Sequence, residues 1–212
     1  MSTASHAYGV DLYWLPLGAG GNFVRLNGRI YEAITSRIRR RAPRDLYHCA
    51  LEVFLPEGRY VIEMTPAGRS DGERGVVGVG PVGAGWAGRF RIFRYELRRW
   101  LDGSIPDIDE AVDSPRHLSD SQEVARRVLD AVPGVPMLVW GRDELGVGDM
   151  WNSNSQIAWV LARAGLAAAT IEPPAGGRAP GWQAGLAAAG LHTSDAAARS
   201  AGGPAELMSG RL

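Results

Sequence analysis

Residues 46–65 read LYHCALEVFL-PEG-RYVIEMT, and this stretch decides the architecture. Two runs rich in aromatic and β-branched side chains flank Pro56-Glu57-Gly58, a link with turn residues and room only for a tight reversal. Residues 46–55 and 59–65 are therefore expected to pair as an antiparallel hairpin. Strand periodicity puts His48 and Cys49 on opposite faces of whatever sheet this hairpin joins.

Working towards the N-terminus, residues 8–17 alternate large apolar side chains (Val10, Leu12, Trp14) with others and run into Gly18-Ala19-Gly20-Gly21, the pattern of a strand entering a tight turn. Phe23, Val24, Ile30, Ile34 and Ile38 then recur at near-helical spacing, with Arg39, Arg40 and Arg41 where a helix dipole favours cations and Pro43 as the stop. Working towards the C-terminus, residues 67–89 are Gly-rich and read as irregular, and residues 90–97 read as a third strand. Residues 101–118, with Pro106, Pro115 and many acids, read as a surface connection. Ser119 is expected to cap a helix whose stripe is Val124, Val128 and Leu129, ended by Pro133; Met137 to Trp140 reads as a short strand. A further helix starts after Asp149, with Ser153, Ile157, Val160, Leu161 and Ala164 on one face and Gly165 closing it.

These elements predict an α+β fold, an antiparallel sheet packed against helices. At 212 residues, with 45% hydrophobic and 22% charged side chains, the chain suits one globular domain, here residues 1–183, followed by an Ala/Gly/Ser-rich tail over 184–212 that can bury little. No apolar run is long enough for a membrane span and no signal-peptide pattern opens the chain, so a cytoplasmic location is expected. Cys49 is the single cysteine, which excludes an internal disulfide and a multi-thiolate metal site. All 23 basic residues are arginine and are matched by 23 acids, so no global field draws the chain to nucleic acid or to an anionic membrane. Neither partner is expected, and no cofactor or metal is implied.

Four features could carry chemistry. Gly78-Val79-Gly80-Pro81-Val82-Gly83 spells a dinucleotide fingerprint, but Pro81 and the strand-like run after it deny the motif its helix, so a Gly-rich loop is the better reading. The turn from Gly18 to Gly21 has strand-then-helix context for a phosphate, without the third glycine or a GK[ST]. Arg37, Arg39, Arg40, Arg41 and Arg44 could meet phosphates, but no aromatic platform accompanies them and the helix dipole alone explains them, so a solvated helix end is the better reading. The fourth is the pair of His48 with Trp151-Asn152-Ser153-Asn154-Ser155. Of four histidines, His6, His117 and His192 fall in segments expected to be exposed, leaving His48 on an ordered strand. Capping a helix needs one polar residue, not four, and Ser153 shares the Ile157 and Leu161 face, so its hydroxyl points to the core and needs a partner. A serine at a helix N-terminus still requires a base such as His48 to take its proton.

At these residues the chain resembles the circularly permuted papain-fold hydrolases, the NlpC-like superclan that includes the PPPDE and lecithin:retinol acyltransferase-like groups. In those groups a strand-borne His precedes a catalytic Cys inside an Asn-Cys-Asn motif opening a helix; His48 and NSNS at Asn152-Ser153-Asn154-Ser155 stand in that order, over roughly residues 46–66 and 149–165. The resemblance implies a permuted papain-like cysteine-hydrolase fold and a hydrolase or acyltransferase working on an amide, thioester or ester of a small molecule or peptide. Ser153 would be the nucleophile, His48 the base and Glu63 the orienting residue, with Asn152 donating to an oxyanion and Asn154 and Ser155 beside it. Serine is not ionised by an adjacent imidazole as cysteine is, so a catalytically inactive binder of ligand or peptide is the alternative, and a phosphate or nucleotide binder through Gly18 to Gly21 the third. The strings MWNSNS and GGRAPGW are also similar to those of a bacterial family from high-GC organisms, a likeness that implies no activity.

Overall fold

The computed structural model describes residues 7–20, 45–67 and 75–190. Six strands form one antiparallel sheet in the order β4-β5-β3-β2-β1-β6: β1 (Gly9–Gly20), β2 (Tyr47–Leu55), β3 (Gly58–Pro66), β4 (Val76–Pro81), β5 (Arg94–Leu101) and β6 (Val112–Ser119). Among the described residues there are three α-helices, α1 (Gln122–Ala131), α2 (Ser153–Arg163) and α3 (Trp182–Ala188). The protein is thus α+β, as its alternating patterns predict.

The expected hairpin is β2–β3, with Leu51 opposite Ile62 and Leu55 opposite Gly58, whose φ of 141° suits glycine at the reversal. Strand periodicity divides the sheet into two faces. Val10, Leu12, Trp14, Tyr47, Cys49, Leu51, Val53, Ile62, Tyr95 and Leu97 point to the face covered by the three helices and form the main core. Tyr13, Leu15, Ala50 and Val61 point the other way and pack with Ile105 from the β5–β6 connection. Trp14 meets Trp182 of α3 with ring centroids 5.4 Å apart, and the Trp182 indole donates to the carbonyl of Ala168 at 3.0 Å. A tilted aromatic pair adds about 0.5–1.5 kcal/mol beyond the area it buries.

Several expectations need correction. Residues 67–89 are not wholly irregular, because β4 lies within them, and residues 101–118 hold most of β6 rather than only a surface connection. The third expected strand starts at Arg94, after two short 3-10 turns at Gly85–Arg89 and Arg91–Phe93. Ser121, not Ser119, caps α1, accepting from the Val124 amide. Met137 to Trp140 forms no strand; Trp140 makes one isolated parallel bridge to Val82. Gly18-Ala19-Gly20 belongs to β1 instead of opening a turn there. The tail does not begin at 184, since α3 carries Ala184 and Leu186 into the core. The helix expected from Asn22, its arginine cluster and residues 191–212 lie outside the described residues.

Candidate functional site

The polar run at the start of α2 is buried throughout. Asn152 is the N-cap: its Oδ1 accepts from the Asn154 amide at 2.9 Å and the Ser155 amide at 3.3 Å, while Ser155 Oγ accepts from the Asn152 amide at 3.0 Å. This reciprocal capping box satisfies donors that a helix start otherwise leaves orphaned. The side-chain donors of Asn152, Asn154 and Ser155 reach outward to backbone. Asn152 Nδ2 donates to the Pro180 carbonyl at 2.8 Å, and Asn154 Nδ2 donates to the Pro180 carbonyl at 2.8 Å and the Tyr47 carbonyl at 2.9 Å. Ser155 Oγ donates to the Met150 carbonyl at 3.1 Å. The Asp149 carboxylate receives the Gly181 amide at 2.8 Å and the Gln183 amide at 3.2 Å; burial raises its pKa, against those donors and Arg178. One polar cluster therefore ties the first turn of α2 to the head of β2 and to the segment that opens α3.

The capping explanation thus covers more of the quartet than expected. Asn152 has given one of its two side-chain N–H groups to Pro180, and the amides of Asn154 and Ser155 are taken by Asn152 Oδ1. Asn154 and Ser155 have no side-chain donor left for a developing negative charge, while Asn152 Nδ2 keeps a second N–H. Ser153 is the first residue of α2, and its side chain is 9% exposed. No hydrogen bond joins Ser153 to His48.

His48 explains why. It sits between Tyr47 and Cys49, both on the helix-covered face, so its imidazole projects from the opposite face, alongside Ala50 and opposite Leu15. Its charged neighbour there is Asp107, and burial outweighs that carboxylate, drawing the imidazole pKa down to about 4. The ring is neutral at pH 7, as a base should be, but the β-sheet stands between it and the face on which α2 packs. The expected nucleophile–base pair is not brought together. Glu63 follows the same parity: Ile62 and Met64 pack in the helix-side core, so Glu63 shares the His48 face. It stands opposite Arg98 on β5, while Arg98 donates to Glu96 at 2.8 Å. Burial pushes the Glu63 carboxyl up to about 7 despite the nearby guanidinium.

Sequence reading also missed His117. Its segment forms β6, and the ring contacts Asp11 through Nδ1 at 2.7 Å and Asp120 through Nε2 at 2.9 Å. The hydrogen bond to the Asp11 carboxylate leads the causes that raise its pKa. With carboxylates at both nitrogens the ring brackets β1 and the approach to α1, an arrangement that favours its protonated form. The only sequence signal was an Asp and a His on strands that turn out to be neighbours.

Deeper in the core, Trp151 Nε1, both amide atoms of Gln156 and Asn154 Oδ1 are buried without a hydrogen-bond partner. The Tyr95 hydroxyl, which donates to the Leu138 carbonyl at 2.7 Å, lies near Trp151 and Gln156; burial raises its pKa and those two side chains work against the rise. Cys49 is buried and free, with its thiol pKa pushed up by desolvation, which disfavours the thiolate that a nucleophile needs. Gly78 and Gly80 lie inside β4, which denies the dinucleotide-like string a phosphate-binding turn. Among the described residues no group of three or more His, Cys, Asp or Glu could hold a metal ion, and no helix is long and apolar enough to cross a membrane. Compared with family models, curated proteins and solved structures, the chain has no match in any of the three.

Proposed function

We propose that the chain is a catalytically silent relative of the permuted papain-like hydrolases and works by binding a small ligand or a peptide. Element order supports the kinship: a His-bearing strand precedes an Asn-Ser-Asn-Ser helix start, and an antiparallel sheet carries its helices on one face. One observation carries the inactivity. The His48 imidazole projects from the sheet face opposite the one on which α2 packs, and Asn152, Asn154 and Ser155 bond the first turn of α2 to backbone carbonyls, so this position works as a structural junction.

The hydrolase or acyltransferase reading needs Ser153 as nucleophile, His48 as base and Glu63 as its orienter. His48 and Glu63 do share a face, but Ser153 is on the helix side, and a serine hydroxyl without a base in reach is a poor nucleophile. Treatment with fluorophosphonate and with activated thioester probes tests the choice. The expected result is no labelling above background in wild type or in Ser153→Ala. Labelling of wild type that disappears in Ser153→Ala would restore the enzyme.

A further inference from the structure

The net charge of zero conceals a local concentration. Residues 82–95 hold Arg89, Arg91 and Arg94 and not one acid. The same segment exposes Ile92 (80%), Trp86 (67%), Phe90 (50%) and Phe93 (43%), the densest set of exposed large apolar side chains among the described residues. Isolated exposed apolar residues are ordinary, but a contiguous group of four with a cationic rim marks a contact surface.

The backbone beneath this group is held by hydrogen bonds. Ala87 is buried, the Phe90 amide donates to the Ala87 carbonyl at 2.9 Å, and the Val82 amide donates to the Phe93 carbonyl at 2.8 Å. Arg94 donates to the carbonyls of Gly88 and Arg89, and Arg89 Nε donates to the Trp86 carbonyl at 3.2 Å. Carbonyls accept these guanidinium protons without neutralising the charge, so the cations stay available to a partner. The Arg89 guanidinium also lies 5.6 Å from the Trp86 ring centre and 5.5 Å from that of Phe90.

We propose that this platform docks on an anionic phospholipid surface. It lies outside the α2 junction, and the proposal stands or falls independently of the function proposed above. Charge complementarity selects a phosphate-bearing partner, and the apolar composition selects lipid over nucleic acid. The most exposed side chain is the aliphatic Ile92, which has no π face to stack on a base, and Arg89 already lies against two of the rings. An aliphatic and aromatic tip between arginines suits the headgroup boundary, where rings and short apolar side chains insert and cations meet phosphates.

Co-sedimentation with vesicles tests this, using the full chain at low salt, with phosphatidylcholine alone or mixed with phosphatidylglycerol. Binding is expected only to the mixed vesicles and should weaken as salt rises. Each Arg→Gln change at 89 or 91 should lower partitioning about fivefold. Ile92→Asp, at a position too exposed to affect folding, should lower it at least as much, with an unchanged circular dichroism spectrum as the check. Absence of binding to the anionic vesicles overturns the proposal. So does tighter binding to a single-stranded oligonucleotide that Ile92→Asp leaves unchanged.

Discussion

The Asn154 side-chain amide donates to the Tyr47 carbonyl at 2.9 Å, joining the first turn of α2 to the head of the strand that carries His48. Removing it would leave the buried Tyr47 carbonyl without this donor, and Asn152 alone would serve Pro180. Asn154→Ala is therefore expected to cost about 1–3 kcal/mol, the usual penalty for orphaning a buried polar group. Asn154→Asp should be at least as harmful, since a carboxylate cannot donate. Ser153→Ala, which breaks no hydrogen bond, should stay within about 0.5 kcal/mol of wild type. Urea denaturation of the three variants checks the order.

Gly185 of α3 is pressed against α2 so closely that an added Cβ would collide with the Ser155 carbonyl oxygen. Gly→Ala inside a helix normally stabilises by about 1 kcal/mol. Here the obstacle is backbone and cannot swing aside, so Gly185→Ala is expected to destabilise by about 1–3 kcal/mol. A thermal melt should show Tm falling by about 2–4 °C for each kcal/mol lost.

Glu63 and His48 should tilt the pH dependence of stability in opposite directions. The folded state raises the Glu63 carboxyl from 4.5 to about 7, so it holds its proton more tightly than the unfolded chain does, and its contribution falls as pH climbs through that window. The folded state lowers the His48 imidazole from 6.5 to about 4, so the unfolded chain binds the proton better, and the His48 contribution rises with pH over that window. Relative to wild type, Glu63→Gln should gain stability from pH 4.5 to 7 and His48→Asn should lose it from pH 4 to 6.5. Denaturant midpoints at half-unit steps of pH will show whether the two slopes have opposite signs.

Cys49 is 1% exposed, with its thiol pKa raised by burial. A thiol-disulfide exchange reagent should react with it only at the rate of unfolding, and become fast once denaturant is added. Rapid reaction in the native protein would contradict its placement beneath the helices.

The elements readable from sequence are the central ones. β2 and β3 are built from Val, Ile, Tyr and Phe about a short turn, β1 alternates cleanly at Val10, Leu12 and Trp14, and α2 carries the stripe of Ile157, Val160 and Leu161. Both strands that were missed, β4 and β6, are the sheet's edges. Edge strands are blunted with Gly, Pro and charge: Gly78 and Gly80 interrupt β4, and Pro115 and Arg116 interrupt β6. Gly80 has a packing reason as well, because a Cβ there would strike the Tyr95 ring. At the candidate site the polar quartet stood out, but its partners did not. They are the backbone carbonyls of Tyr47, Met150 and Pro180, which have no side-chain signature. The parity of β2 was also plain, with His48 and Cys49 on opposite faces. Which face the helices would cover depends on packing that no local pattern encodes.

The central claim is that the sheet separates the His48 ring from the Ser153 hydroxyl. A pH titration of the His48 ring by NMR, in wild type and in Ser153→Ala, addresses it most directly. The account predicts an imidazole pKa near 4 that is the same in both proteins. A His48 pKa that moves by about a unit or more on removing the hydroxyl, the size expected of a direct hydrogen bond, would contradict it.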